Sequence, residues 1–184
     1  MRSLALSIGG GVVAALVLHI ISILAIPYVT EGNTWSRIVA LGDAGRFYSE
    51  ASLPEPAALL DSDPYVKLAV CRFEMTNVPI RITASANVFL WTLSIFDEQS
   101  NEIYSMNDST AIVDTLDVIL ANPAGILSLR RDQPETGLAS IFVETSASRG
   151  YIVLRAVVPS SSWQEIAEEF LASARCGTTI DDPS

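Results

Sequence analysis

The chain has 184 residues, a formal net charge of −10 and a mean hydropathy of +0.37, with 11 basic residues against 21 acidic ones. Its only lysine is Lys67, and so acidic a surface is repelled by phosphate backbones and anionic lipid, which argues against a nucleic-acid partner. With a single histidine and two cysteines, thiolate and imidazole zinc centres are ruled out for the folded part, and no catalytic residue, cofactor or metal is expected.

From Ser3 to Val29 no residue carries a formal charge except His19 when protonated. Within that run Leu4 to Ile26 reads as one apolar helix, roughly 35 Å long at about 1.5 Å per residue and able to cross a hydrocarbon core of about 30 Å. The apolar core exceeds that of a secretory signal, and the exit Leu24-Ala25-Ile26-Pro27-Tyr28 has no alanine-x-alanine cleavage pattern, so an uncleaved signal anchor is expected. Pro27 is expected to end the helix, with Tyr28 and Trp35 at the bilayer interface. Arg2 and the amino terminus carry positive charge on one side, whereas Glu31 comes first on the other. This favours a single-pass topology in the inner (plasma) membrane, N-terminus cytoplasmic and C-terminal domain periplasmic.

Ser7, Gly11, Ala15 and His19 recur every four residues, with Ser22 near the same face. Small residues at this spacing let another backbone approach, so helix–helix contact is a candidate role, and the bilayer and a second membrane or envelope protein are the expected partners. For His19 a packing role is favoured over proton or metal chemistry.

Asn33 and Thr34 offer a cap for a short helix through Trp35, Ile38, Val39 and Leu41, limited by Gly42 and Gly45. Ala51 to Pro64, with three prolines, reads as a linker. From Tyr65 the texture becomes strand-like: Tyr65–Met75, Ile80–Ala84, Val88–Phe96, Glu102–Met106, Thr110–Leu120, Ile126–Arg130, Ala139–Thr145 and Tyr151–Val158. After Pro159, Ser162 and Glu165 make a capping box for an amphipathic helix carrying Trp163, Ile166, Ala167, Phe170, Leu171 and Ala174, with Arg175 in its last turn and Gly177 as its stop. The expected fold is an N-terminal transmembrane helix plus a mainly-β domain, an antiparallel sandwich or barrel-like sheet, with the C-terminal helix packed on it. The expected divisions are 1–29, 30–64, 65–177 and an acidic tail 178–184.

Outside the apolar helix there is no histidine, so Ser–His and Cys–His nucleophile pairs are excluded. Cys71 and Cys176 would bond in an oxidising compartment, clamping the last helix onto the sheet; the alternative is two unpaired thiols. Asp97, Gln99 and Asn101 space like calcium ligands but lack the glycine and terminal glutamate of such a loop, so a hairpin turn is the expected reading. Arg130 and Arg131 read as a solvated strand end, with an anionic partner as the alternative. Asn107-Asp108-Ser109 matches the short glycosylation sequon.

Three stretches taken together, Asp63–Glu74 (DPYVKLAVCRFE), Phe89–Thr110 (FLWTLSIFDEQSNEIYSMNDST) and Gly150–Pro159 (GYIVLRAVVP), resemble the short membrane-anchored bacterial proteins of the domain of unknown function 1254 family. Leu90–Asp97 is also similar to its companion, the domain of unknown function 1214. The resemblance implies a β-rich exported domain behind an N-terminal anchor and carries no catalytic residues. The function expected on all these grounds is an interaction or scaffolding module. The alternatives are an envelope enzyme or small-ligand binder using carboxylates and arginines, and an accessory subunit acting through the helix.

Overall fold

The computed structural model describes residues 2–49, 63–76, 78–85, 87–111, 115–132 and 140–178. It opens with α1 (Arg2–Val39), one helix of 38 residues and so roughly 57 Å long at about 1.5 Å per residue. The expected break at Pro27 and the separate helix after Asn33 are therefore replaced by a single rod. Proline removes one backbone donor, which a helix survives when the rest of its ladder is well supported. That support comes from the far end, where Ile38 is buried against the β domain. The side chain of Tyr28, much of the linker at 50–62 and the tail from 179 onward lie outside the described residues.

Nine strands follow among the described residues: β1 (Phe47–Ser49), β2 (Val66–Glu74), β3 (Ile80–Ser85), β4 (Trp91–Asp97), β5 (Glu102–Asn107), β6 (Thr115–Ala121), β7 (Ile141–Glu144), β8 (Arg149–Val157) and β9 (Arg175–Thr178). They form a five-stranded sheet, β1-β2-β8-β4-β5, and a four-stranded sheet, β7-β6-β3-β9. The N-terminal apolar helix, the mainly-β domain and the packed C-terminal helix are thus all present. All pairings are antiparallel except β6 with β7. The first strand lies inside the stretch assigned to the juxtamembrane part. Gly42 and Gly45, both at positive φ, let the chain turn from α1 into it.

Side-chain alternation sends Ala69, Cys71 and Phe73 of β2, Leu93 and Ile95 of β4, and Ile152, Leu154 and Ala156 of β8 into the space between the sheets. Ile82 and Ala84 of β3 and Leu116, Val118 and Leu120 of β6 meet them from the other side. The opposite face of the larger sheet is apolar too. There Val70, Tyr151 and Val153 are buried with Ile38, and Trp35, Leu41, Leu68 and Phe96 pack around them. Phe96 and Tyr151 stack with ring centroids 5.1 Å apart.

Three expectations are corrected here. Ile126–Arg130 is part of helix α2 (Pro123–Asp132) and not a strand. Asn122 caps it, its Oδ1 accepting from the Gly125 N–H at 2.7 Å, and Pro123 supplies a pre-set φ at the first helical position. With α2 as a crossover, β6 and β7 can lie parallel. The last helix, α3 (Gln164–Ser173), is preceded by a 3₁₀ turn at Ser161–Trp163, and the box from Ser162 to Glu165 does not form. The Ser162 hydroxyl instead meets that of Ser160 at 2.9 Å. Finally, the helix stops at Ser173 and Arg175–Thr178 becomes β9, because β3 offers it an open edge: Arg175 pairs with Thr83 and Thr178 with Ile80. α3 nevertheless seals the sandwich with buried Ala167, Phe170 and Leu171, and Phe170 lies 6.4 Å from the Trp91 ring.

Gly150 is a point of close approach, since a Cβ there would fall 2.6 Å from the Phe73 ring and closer still to the Phe96 carbonyl oxygen. Gly150→Ala should therefore lower the unfolding free energy by about 1–3 kcal/mol, read by chemical denaturation. Ser100, at the tip of the β4–β5 hairpin, holds a positive φ of 65°. Ser100→Gly should raise stability by about 0.5–1 kcal/mol in the same measurement, and a loss would show that the turn needs the hydroxyl.

Candidate functional site: an apolar helix joined to a disulfide-clamped sandwich

Leu6–Ile26 of α1 is long and apolar enough to cross a membrane, and none of it is buried against the rest of the chain. The proposed contact residues Ser7, Gly11, Ala15, His19 and Ser22 are all exposed along it. The Ser7 hydroxyl donates to the Ser3 carbonyl at 3.0 Å, so its polar group is satisfied within the helix. Nothing described lies within 4 Å of where a Cβ on Gly9, Gly10 or Gly11 would sit, which leaves that stretch open to a close neighbour.

Cys71 and Cys176 are joined, with their Cα atoms 6.5 Å apart. Because Cys176 lies on β9 and not in a helix, the bond runs from one sheet to the other and not from helix to sheet. Both halves are buried in the core, so the cross-link pins edge strand β9 of the smaller sheet to β2 of the larger.

Several carboxylates are engaged in the fold. Asp97 Oδ1 accepts from the backbone N–H of Gln99 at 2.9 Å and of Asn101 at 2.8 Å, while its Oδ2 accepts from Asn101 Nδ2 at 2.8 Å. Those oxygens organise the hairpin that the sequence pointed to. Asp117 takes a two-pronged bond from Arg81, Nε to Oδ1 at 3.1 Å and Nη2 to Oδ2 at 3.0 Å, and a third from the Ser140 hydroxyl at 2.7 Å. Glu98 pairs with Arg149 at 2.7 Å and Glu74 with Arg72. Among the described residues no three of His, Cys, Asp and Glu gather into a metal-binding group. Asn107 keeps its side chain beside the Thr110 hydroxyl at 3.4 Å. Arg131 is exposed at the end of α2, while Asp114 and the Arg130 side chain lie outside the described residues.

Among the described residues, hollows open on the surface at β4–β5 and at β1. One, of about 420 Å³, lies over the outer face of β4 and β5 and is lined by Thr92, Ser94, Ser105, Met106, Asn107 and Thr110. The other, of about 440 Å³, lies between β1 and the α3–β9 junction. Among the described residues neither has an aspartate or glutamate in its lining. Sequence reasoning found neither hollow; the one at β1 is assembled from segments far apart in the chain, the other from a single hairpin.

No family model matches the chain, and no curated protein matches it. Two solved structures share its fold. The VPA0106 protein from Vibrio parahaemolyticus superposes with a TM-score of 0.51 at 10% identity, over 64% of this chain and 28% of that one. An uncharacterised protein from Burkholderia cenocepacia gives a TM-score of 0.50 at 10% identity, over 88% of this chain and 44% of that one. The chain therefore spans less than half the length of either structure. At this identity the likeness shows a shared fold and nothing further.

Replacing Cys71 and Cys176 together by alanine should lower the unfolding free energy by about 2–5 kcal/mol, because the bond closes a separation of 105 residues. Equilibrium denaturation of the oxidised protein and the variant checks this. Alkylation should add mass only after reduction in denaturant; labelling of the native, unreduced chain would show free thiols.

Proposed function

We propose that this protein is a single-pass signal-anchored membrane protein of the inner (plasma) membrane that presents its β-sandwich on the periplasmic side as an interaction or scaffolding module. The observation that carries this reading is the coupling of Leu6–Ile26, wholly exposed, to a helix end that is buried in the sandwich. A rod of that kind holds the domain at one distance and attitude from the bilayer. Tethering then raises the domain's effective concentration near a membrane or envelope partner without requiring a tight contact. The cross-link between Cys71 and Cys176 favours an oxidising compartment, which agrees with the charge distribution around the helix.

Kinship with the domain of unknown function 1254 family belongs to the same proposal. Its support is that the three resembling stretches fall on β2, on β4 and β5, and on β8, which are neighbours in one sheet.

The protein should stay with vesicles through alkaline carbonate extraction. A reporter active only in the periplasm should work when fused after Thr178, and one active only in the cytoplasm should not. Release by carbonate overturns the anchor, and the reverse reporter pattern overturns the orientation. Exchanging residues 6–26 for an unrelated anchor should leave co-purifying partners in place if the sandwich is the working part. Their loss would instead favour the accessory-subunit reading, in which the face through Ser7, Gly11, Ala15, His19 and Ser22 makes the contact.

A further inference from the structure

We infer that the hollow between β1 and β9 binds a small amphiphilic anion, with Arg46 and Arg175 holding its charged head. Three arginines of this acidic domain are matched to a carboxylate: Arg72 to Glu74, Arg81 to Asp117 and Arg149 to Glu98. Arg46 and Arg175 have no carboxylate partner among the described residues, and both line the same hollow. Each is nevertheless held in place. The Arg46 guanidinium sits 5.7 Å from the centroid of the Tyr48 ring, an attraction that anchors the cation without neutralising it. Arg175 donates from Nη1 to the carbonyl oxygens of Ala172 at 3.0 Å and Ala174 at 3.1 Å, while its Nε and Nη2 make no bond to a described residue.

Two fixed guanidiniums with uncommitted N–H groups suit a carboxylate or phosphate head, because the planar fork matches its oxygens and little freedom is left to lose on binding. The rest of the lining is chiefly uncharged, with Phe47, Leu171 and Ala174 giving it an apolar side and Ser49 a hydroxyl at the rim. A volume of about 440 Å³ lies within the usual range for small-ligand sites and leaves room for a short apolar chain beyond the head. In a chain of net charge −10, this is a local reversal of sign with no acid among the described residues of its wall.

The test uses the full chain in phosphatidylcholine nanodiscs, following the arginine Nε–Hε signals by NMR during titration with sodium hexanoate. Acetate and inorganic phosphate serve as probes that carry a head and no chain. Hexanoate should give saturable shifts of Arg46 and Arg175 and bind several-fold more tightly than acetate. Arg46→Gln, at an exposed position, should weaken hexanoate about tenfold. Arg175→Lys, which keeps the charge and a donor for the helix carbonyls, should weaken it less than Arg175→Gln. Arg155→Gln, on the outer face of the larger sheet, should leave it unchanged. Absence of saturable shifts, or an unaltered affinity in Arg46→Gln, overturns the site. Equal affinity for acetate and hexanoate overturns its amphiphilic character, and weakening by Arg155→Gln overturns its location. Tight binding of phosphate without preference for hexanoate likewise overturns the ligand class.

Discussion

The last turn of α1 presses Ile38 against Val70, Tyr151 and Val153, and that contact decides how the larger sheet is built. An antiparallel sheet ordinarily keeps one face wet, with polar residues alternating outward. Here the central strands β2 and β8 are covered on both sides, by the smaller sheet within and by the helix end without. Burying a side chain such as isoleucine contributes about 1.5–3 kcal/mol, of the same order as the roughly 3 kcal/mol that an interior proline costs a helix. The same contact makes the apolar helix and the sandwich one mechanical body.

Polar chemistry follows that arrangement. On the outer surface of the smaller sheet the Arg81–Asp117 pair, with Ser140, balances its own charge. At the β4–β5 turn, Asp97 is consumed by backbone N–H groups. Such carboxylates stiffen loops and strand ends and leave little acid–base capacity free. Against that acidic background, Arg46 and Arg175 line one hollow between β1 and β9.

The sequence made the strands legible wherever alternation was strict. In β8, Ile152, Leu154 and Ala156 against Tyr151 and Arg155 identified both the strand and its inner face. In β2 the alternation was only partial and could not tell inside from outside, because Leu68 and Val70 are as apolar as Ala69 and Phe73. That ambiguity is the trace of the helix packed on the outer side. The α2 helix was missed although Asn122-Pro123 is a cap followed by a first-position proline; the apolar run after it looked like a strand. The β9 strand could not be read, since four residues ending in Gly177 and Thr178 match a helix stop until β3 is placed beside them. The Arg46–Arg175 hollow had no local signal at all, for its two cations come together only through the pairing of β1 with β2 and of β9 with β3.

The cross-link between the sheets also imposes an order on assembly. Cys71 is made early and Cys176 follows 105 residues later, on the final described strand. During synthesis the first thiol therefore waits, exposed to any other oxidised sulfur, until nearly the whole sandwich has emerged. The sandwich also rests on the non-local pairing of β2 with β8, and such long-range contacts form slowly. A fragment cut anywhere before β9 would carry a lone reactive sulfur in the middle of its core and an unpaired edge on β3. Shortened versions of this domain are thus prone to cross-link to one another before they can fold.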